Sequence, residues 1–184
     1  IITSSDSSNW TSRSSGTTNQ LHGIEYGNNV FVSVGDGGTI ISSSDGISWA
    51  SRTSGTAYYL KGIIYSKSIF VVTGAGGTIL TSSDGTSWNT RNSGTSVSIN
   101  GITYINDIFI AVGDSGTILT SSDGSSWSSK TSGTSNDLES IHFGDNTIIV
   151  VGDSGTILTS NDGDSWKSKN SGTSYDLNGE SFIE

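Results

Sequence analysis

Apolar residues in this chain come in short bursts bounded by Gly, Asp, Asn or Ser, and no window places them at helical spacing. Residues 99–131 show the pattern. Ile99-Asn100-Gly101-Ile102-Thr103-Tyr104 is a β-prone run, strand a, and Ile108-Phe109-Ile110-Ala111-Val112 is strand b. The unbroken apolar character of strand b predicts burial on both faces. Gly113-Asp114-Ser115-Gly116 is turn chemistry, since Gly permits positive φ and Asp and Ser bond to local backbone. Strand c follows as Thr117-Ile118-Leu119-Thr120-Ser121. A second tight turn at Asp123-Gly124-Ser125 leads into strand d, from Trp127 to about Thr131.

This pattern recurs with a period of 39. Trp10, Trp49, Trp88, Trp127 and Trp166 share one frame with Asp6, Asp45, Asp84, Asp123 and Asp162. Residues 79–117 and 118–156 are identical at 21 of 39 positions without a gap. One domain over 1–184 is expected, in repeats 1–39, 40–78, 79–117, 118–156 and a partial 157–184. Four short antiparallel strands per roughly 40 residues is the arithmetic of a β-propeller blade. The predicted fold is all-β, a propeller of about five blades with Trp as the large filler. Burying ~150–250 Å² of each indole is an upper estimate of roughly 4–6 kcal/mol.

The frame also predicts how the ring ends. Strands c and d open the chain, and Leu177 to about Ile183 reads as a last strand a. The fifth blade is then closed by strands from both termini and is incomplete, because its strand b would follow Glu184. Lacking Met and beginning inside a repeat, the sequence reads as a trimmed piece of a longer product that continues past Glu184.

Ser43-Ser44-Asp45-Gly46-Ile47-Ser48-Trp49, Ser82-Ser83-Asp84-Gly85-Thr86-Ser87-Trp88 and Ser121-Ser122-Asp123-Gly124-Ser125-Ser126-Trp127 resemble the Asp-box, or bacterial neuraminidase repeat, of general form S-x-D-x-G-x-T-W. Here the form is shorter, with Gly directly after Asp and Ser in place of Thr. Residues 1–10 depart further, with Ser7 for the Gly and Asn9 for the Ser. The resemblance implies a propeller in which the carboxylate caps the turn between strands c and d and the Trp packs beneath. It leaves function open, since sialidases, lectins, sortilin-like receptors and photosystem II assembly factors share the motif. The Ser/Thr-rich units look most like bacterial surface or secreted proteins, and an extracellular or cell-surface place is expected.

Composition narrows the function. Hydrophobic residues make up 31%, yet the regular aromatic and β-branched positions argue against disorder. A formal net charge of −9 argues against nucleic acid and against an acidic membrane surface. The absence of Cys removes disulfides, thiolate metal sites and a Cys nucleophile. No apolar run approaches the ~18 residues of a membrane span and no signal peptide is visible, so no membrane insertion is expected.

Candidate chemistry is sparse. Gly113-Asp114-Ser115-Gly116 and Gly152-Asp153-Ser154-Gly155 match the surroundings of a trypsin-like serine but occupy equivalent turns in two units, and only His22 and His142 are available as bases. An arginine triad of the sialidase kind is not in prospect. Arg13, Arg52 and Arg91 share one position on strand d with Lys130 and Lys169. For a two-carboxylate glycosidase the strand-a candidates are Glu25, Glu139 and Glu180. Asp162-Gly163-Asp164 lacks the ligand spacing of a calcium loop. No catalysis, cofactor or metal is expected.

Binding is better supported. Copies of the unit differ mostly between strand d and the next strand a, at Asn19-Gln20, Tyr58-Tyr59, Val97-Ser98, Asn136-Asp137 and Tyr175-Asp176. They differ also within strand a, at His22, Lys61, Asn100, Glu139 and Asn178. Tyr offers a ring face to a sugar, and Asn and Asp offer partners to its hydroxyls. Tyr58, Tyr59, Tyr175, Asn19, Asn136 and Asp137 are therefore the candidate ligand residues of a monomeric, lectin-like module with weak sites added by multivalency. A protein-interaction scaffold or assembly factor, or a spacer repeat without a small ligand, are the alternatives.

Overall fold

A computed structural model describes residues 1–179, which form four four-stranded antiparallel sheets and one two-stranded sheet. The two-stranded sheet pairs β1 (Ile2–Thr3) with β2 (Thr11–Ser12). Blade 1 is β3 (Leu21–Gly27), β4 (Val30–Gly35), β5 (Ile40–Ser43) and β6 (Ala50–Arg52). Blade 2 is β7 (Leu60–Ser66), β8 (Ile69–Gly74), β9 (Ile79–Ser82) and β10 (Asn89–Arg91). Blade 3 is β11 (Ile99–Ile105), β12 (Ile108–Gly113), β13 (Thr117–Ser121) and β14 (Ser128–Lys130). Blade 4 is β15 (Leu138–Gly144), β16 (Thr147–Gly152), β17 (Thr156–Ser160) and β18 (Lys167–Lys169).

Each blade is a simple meander in chain order. The first strands, β3, β7, β11 and β15, pack against one another from blade to blade, while the fourth strands form the far edges. This is the all-β propeller the repeat predicts, with β1 and β2 as strands c and d of the N-terminal unit. The expected strand from Leu177 to about Ile183, and with it Glu180, lies largely outside the described residues.

The hairpins between strands a and b close through Asn28-Asn29, Lys67-Ser68, Asn106-Asp107 and Asp145-Asn146, all at positive φ. Two such residues give the twist that a two-residue hairpin needs. Asn and Asp adopt it readily; Lys67-Ser68 adopts it because the flanking strands fix the register.

The core lies between blades rather than within them. Val32, Val34 and Ile40 of blade 1 meet Leu60, Phe70, Val72 and Leu80 of blade 2. Val71 and Ile79 of blade 2 meet Ile99, Phe109, Ala111 and Leu119 of blade 3. Ile110, Val112 and Ile118 of blade 3 meet Leu138, Ile148, Val150 and Leu158 of blade 4. Alternate residues of each strand therefore face opposite neighbours, which is why strand b reads as continuously apolar.

The tryptophans differ from the expectation of buried fillers. Trp49, Trp88, Trp127 and Trp166 are half-buried, and Trp10 is 58% exposed. Among the described residues, Phe70 and Phe109 are the fully buried aromatics. Each sits 6.3–6.5 Å from Trp88 or Trp127 and 4.6–4.7 Å from Tyr65 or Tyr104. The Trp thus closes the edge of the core because it lies immediately before the outermost strand.

The turn glycines join blade to blade. Gly85 has φ +70, and a Cβ there would lie 2.8 Å from Val32 Cγ2 and 2.9 Å from Val30 Cγ1 of blade 1. Gly46 has the same φ but its nearest neighbour is Phe31 at 3.7 Å. Gly46→Ala should therefore cost only backbone strain, about 1–2 kcal/mol. Gly85→Ala should add overpacking, for a total of roughly 2–5 kcal/mol. Urea unfolding of the two variants checks this, and equal midpoints would contradict the contact.

Candidate binding rim

The meander puts the turns between strands c and d on one rim. The turns between b and c share the opposite rim with the d-to-a loops. On the first rim one carboxylate organises each turn. Asp45 Oδ1 accepts the N–H groups of Ile47 and Ser48, both at 2.8 Å, and the Ser43 hydroxyl at 2.9 Å. Ser43 Oγ in turn accepts the Gly46 N–H at 2.9 Å. Asp84, Asp123 and Asp162 repeat the arrangement with Ser82, Ser121 and Ser160. Asp6 repeats it with Ser8 and Asn9, although Ser7 must take the positive φ that Gly takes elsewhere.

These bonds favour the ionised form. The N–H three residues on is the chief cause that holds Asp45, Asp123 and Asp162 down to about 2, and it depresses Asp6 and Asp84 in the same direction. Trp49, Trp127 and Trp166 donate their indole N–H to the carbonyl of the turn glycine at 3.1–3.3 Å.

The opposite rim holds the variable residues. Asn19 Nδ2 donates to Asp36 O at 3.2 Å and to Thr39 Oγ1 at 2.8 Å. Asn136 does the same to Asp153 O at 3.4 Å and Thr156 Oγ1 at 2.9 Å. Asp137 Oδ1 accepts the Ser115 N–H at 2.7 Å, and Asp176 Oδ1 accepts the Ser154 N–H at 2.9 Å. Three candidate ligand residues, Asn19, Asn136 and Asp137, thus bind the b–c turns. The Gly-Asp-Ser-Gly segments are those turns, with Ser115 and Ser154 both at φ +55. Tyr58, Tyr59 and Tyr175 are different: they are 58%, 56% and 82% exposed.

Strand a adds a polar row along the inner edge. Lys61 Nζ donates to Asn100 Oδ1 at 2.7 Å, and Asn100 Nδ2 donates to Asp114 Oδ1 and Leu138 O, both at 2.9 Å. His22 Nε2 lies 2.5 Å from Asp36 Oδ1. Burial raises the Glu139 carboxyl, with Lys61 opposing and Asp153, Asp114 and Asp137 adding to the rise. Burial likewise raises Asp153, helped by Asp176, Asp137 and Asp114. Units three and four therefore make this rim acidic.

Glu25, raised by burial, belongs to blade 1 and Glu139 to blade 4, at different positions of the repeat. Each arginine bonds through Nε to its own strand-c hydroxyl: Arg13 to Thr3, Arg52 to Ser42 and Arg91 to Thr81. They are arrayed around the molecule and do not converge. Among the described residues no cluster of His, Cys, Asp or Glu could hold a metal ion, and no helix is long and apolar enough to cross a membrane.

No protein-family model matches the chain, and no curated protein matches it. Among solved structures it is similar to YCF48 bound to D1 peptide, with TM-score 0.68 and 17% identity over 89% of this chain and 57% of that one. It is similar to YCF48 from Cyanidioschyzon merolae, with TM-score 0.65 and 21% identity over 83% of this chain and 56% of that one. The computationally designed Ika4 protein gives 0.65 and 16% over 79% of this chain and 92% of that one. The chain spans a little over half the length of the two YCF48 structures. At these identities the likeness is one of fold.

The depressed carboxyls set the acid limit of stability. A folded-state pKa below the unfolded value stabilises the fold above the unfolded pKa, near 3.8. That contribution is lost as pH falls through about 2. Glu25, Glu139 and Asp153 act in the opposite sense but are fewer than the turn aspartates. The urea midpoint should fall steadily from about pH 5 towards pH 2; a flat or rising profile would contradict the capped turns.

Proposed function

We propose that the chain is an Asp-box propeller that acts as a non-catalytic binding module, with carbohydrate as ligand class, on a secreted or cell-surface protein. The observation that carries this reading is the placing of Tyr58, Tyr59 and Tyr175, all largely exposed, on the loops of one rim. Exposed tyrosine rings offer flat apolar faces to sugar C–H groups at low entropic cost. Asn19, Asn136 and Asp137 border the same rim and supply amide and carboxylate groups to sugar hydroxyls beyond those they commit to the turns. The separation of Glu25 from Glu139, and the dispersal of the arginines, support a role in binding rather than hydrolysis.

A protein-interaction scaffold is the second reading. Ile2, Trp10, Ile24 and Tyr26 are 51–61% exposed at the N-terminal end of the array, where an apolar partner would find a surface. The peptide-bound YCF48 structure shows the same fold holding a peptide.

A glycan array screened with the chain, and with Tyr58 and Tyr59 both changed to Ala, separates the readings. Binding that weakens at least tenfold in the double variant is the expected result. A blank array, with the chain instead forming a stable complex with a protein, would move the function to the scaffold.

A further inference from the structure

Unit two departs from all the others at three positions of the rim, Tyr59, Lys61 and Ala75, and shares Tyr58 only with Tyr175 of unit five. Where units one, three and four carry Asp36, Asp114 and Asp153 at the b–c turn, it carries Ala75. Where units four and five carry Asp137 and Asp176, it carries Tyr59, and where unit four carries Glu139, it carries Lys61. Unit two thus supplies no carboxylate to this sector of the acidic rim; Lys61 lies on the innermost strand of blade 2 and Arg91 on its outermost one.

A cavity of about 290 Å³ opens here, lined by Tyr58, Gly76, Thr78, Arg91 and Asn92 among others, with no acidic side chain in its wall. The Tyr58 ring lies over the turn, so close that a Cβ on Gly76 would meet its Cζ at 3.0 Å. In units one and four that place belongs to an amide, which donates to the turn threonine, Asn19 to Thr39 Oγ1 and Asn136 to Thr156 Oγ1. Tyr58 has no amide to donate. Thr78 Oγ1 donates to Ala75 O at 2.7 Å, as Thr39 and Thr156 donate to theirs, but among the described residues it receives no equivalent bond. Thr78 is only 8% exposed, so water has little access to the unused lone pair. Arg91 spends its Nε on Thr81 and lines the cavity; its guanidinium keeps further N–H donors in a planar arrangement suited to a carboxylate.

We propose that this cavity is a binding site for an acidic saccharide. Its ring stacks on Tyr58, a hydroxyl donates to Thr78 Oγ1 in place of the missing amide, and its carboxylate meets Arg91. The site rests on the sugar-binding reading above and assigns it one location and one ligand class. Placing an anion elsewhere on the rim would set it against Asp114, Asp137, Glu139, Asp153 and Asp176. Here it faces Arg91 at short range, while the overall negative charge is screened within about 10 Å at moderate salt.

The test is calorimetric titration of the chain with a galacturonate tetrasaccharide and with its neutral galactose counterpart. Tyr58→Asn installs the residue that units one and four already carry, so the fold tolerates it, and its amide occupies Thr78. Arg91→Lys installs the residue of units four and five, at Lys130 and Lys169, and serves as the conservative change; Arg91→Gln removes the charge. The uronate should bind at least tenfold more tightly than the neutral sugar. Tyr58→Asn should weaken it at least tenfold without moving the melting temperature, Arg91→Gln should abolish the preference, and Arg91→Lys should keep part of it. Equal binding of both sugars, or undiminished binding by Tyr58→Asn, overturns this site and leaves the lectin reading standing. Absence of uronate binding alongside glycan-array hits of another class does the same. Absence of all glycan binding overturns both.

Discussion

A single carboxylate oxygen holds each unit together. Oδ1 of Asp45, Asp84, Asp123 and Asp162 gathers two backbone N–H groups and a serine hydroxyl, and that serine gathers the glycine N–H between them. Without this cap the exposed N–H groups that Oδ1 gathers would have only water as partner, and nothing would hold the turn in one conformation. With it, the glycine is locked at positive φ and laid on strand b of the preceding blade, as Gly85 is on Val30 and Val32. A local hydrogen-bond motif thereby sets the spacing between blades, and the spacing lets Phe70 and Phe109 bury completely.

With one rim committed to that task, the other is free to vary. The loops there solve a common problem, satisfying the b–c turn, in different ways. Asn19 and Asn136 reach in with an amide, Asp137 and Asp176 cap an N–H, and Tyr58 covers the turn without bonding to it. A residue that leaves a turn hydroxyl unanswered leaves a place for a ligand to answer it. Diversity of function in such an array then arises from which turns the chain satisfies itself.

Much of the fold was legible in the sequence because a gapless 39-residue period ties every position to its copies. The strands and the b–c and c–d turns could be read from pattern and spacing, and the capping role of the c–d turn aspartates from the resemblance to the Asp-box. The half-burial of the tryptophans could not, since burial depends on the neighbouring blade and the period says nothing of how closely blades approach. Nor could the bonds of Asn19, Asn136 and Asp137, which span 17 to 22 residues of chain and look in sequence like free recognition groups. The hairpin at Lys67-Ser68 carried no turn signature, because its register is imposed by β7 and β8. What did signal the candidate site was contrast between copies, with Tyr58 for Asn and Ala75 for Asp.

The cap itself can be tested most directly by amide hydrogen exchange. The N–H groups of Thr86 and Ser87 belong to a surface turn outside any strand, so only Asp84 shields them. The account predicts measurable protection at both amides in the native chain. It predicts loss of that protection in Asp84→Ala, with the corresponding pairs at Asp45 and Asp123 unaffected. Exchange at Thr86 and Ser87 as fast as in an open loop, before any substitution, would contradict it.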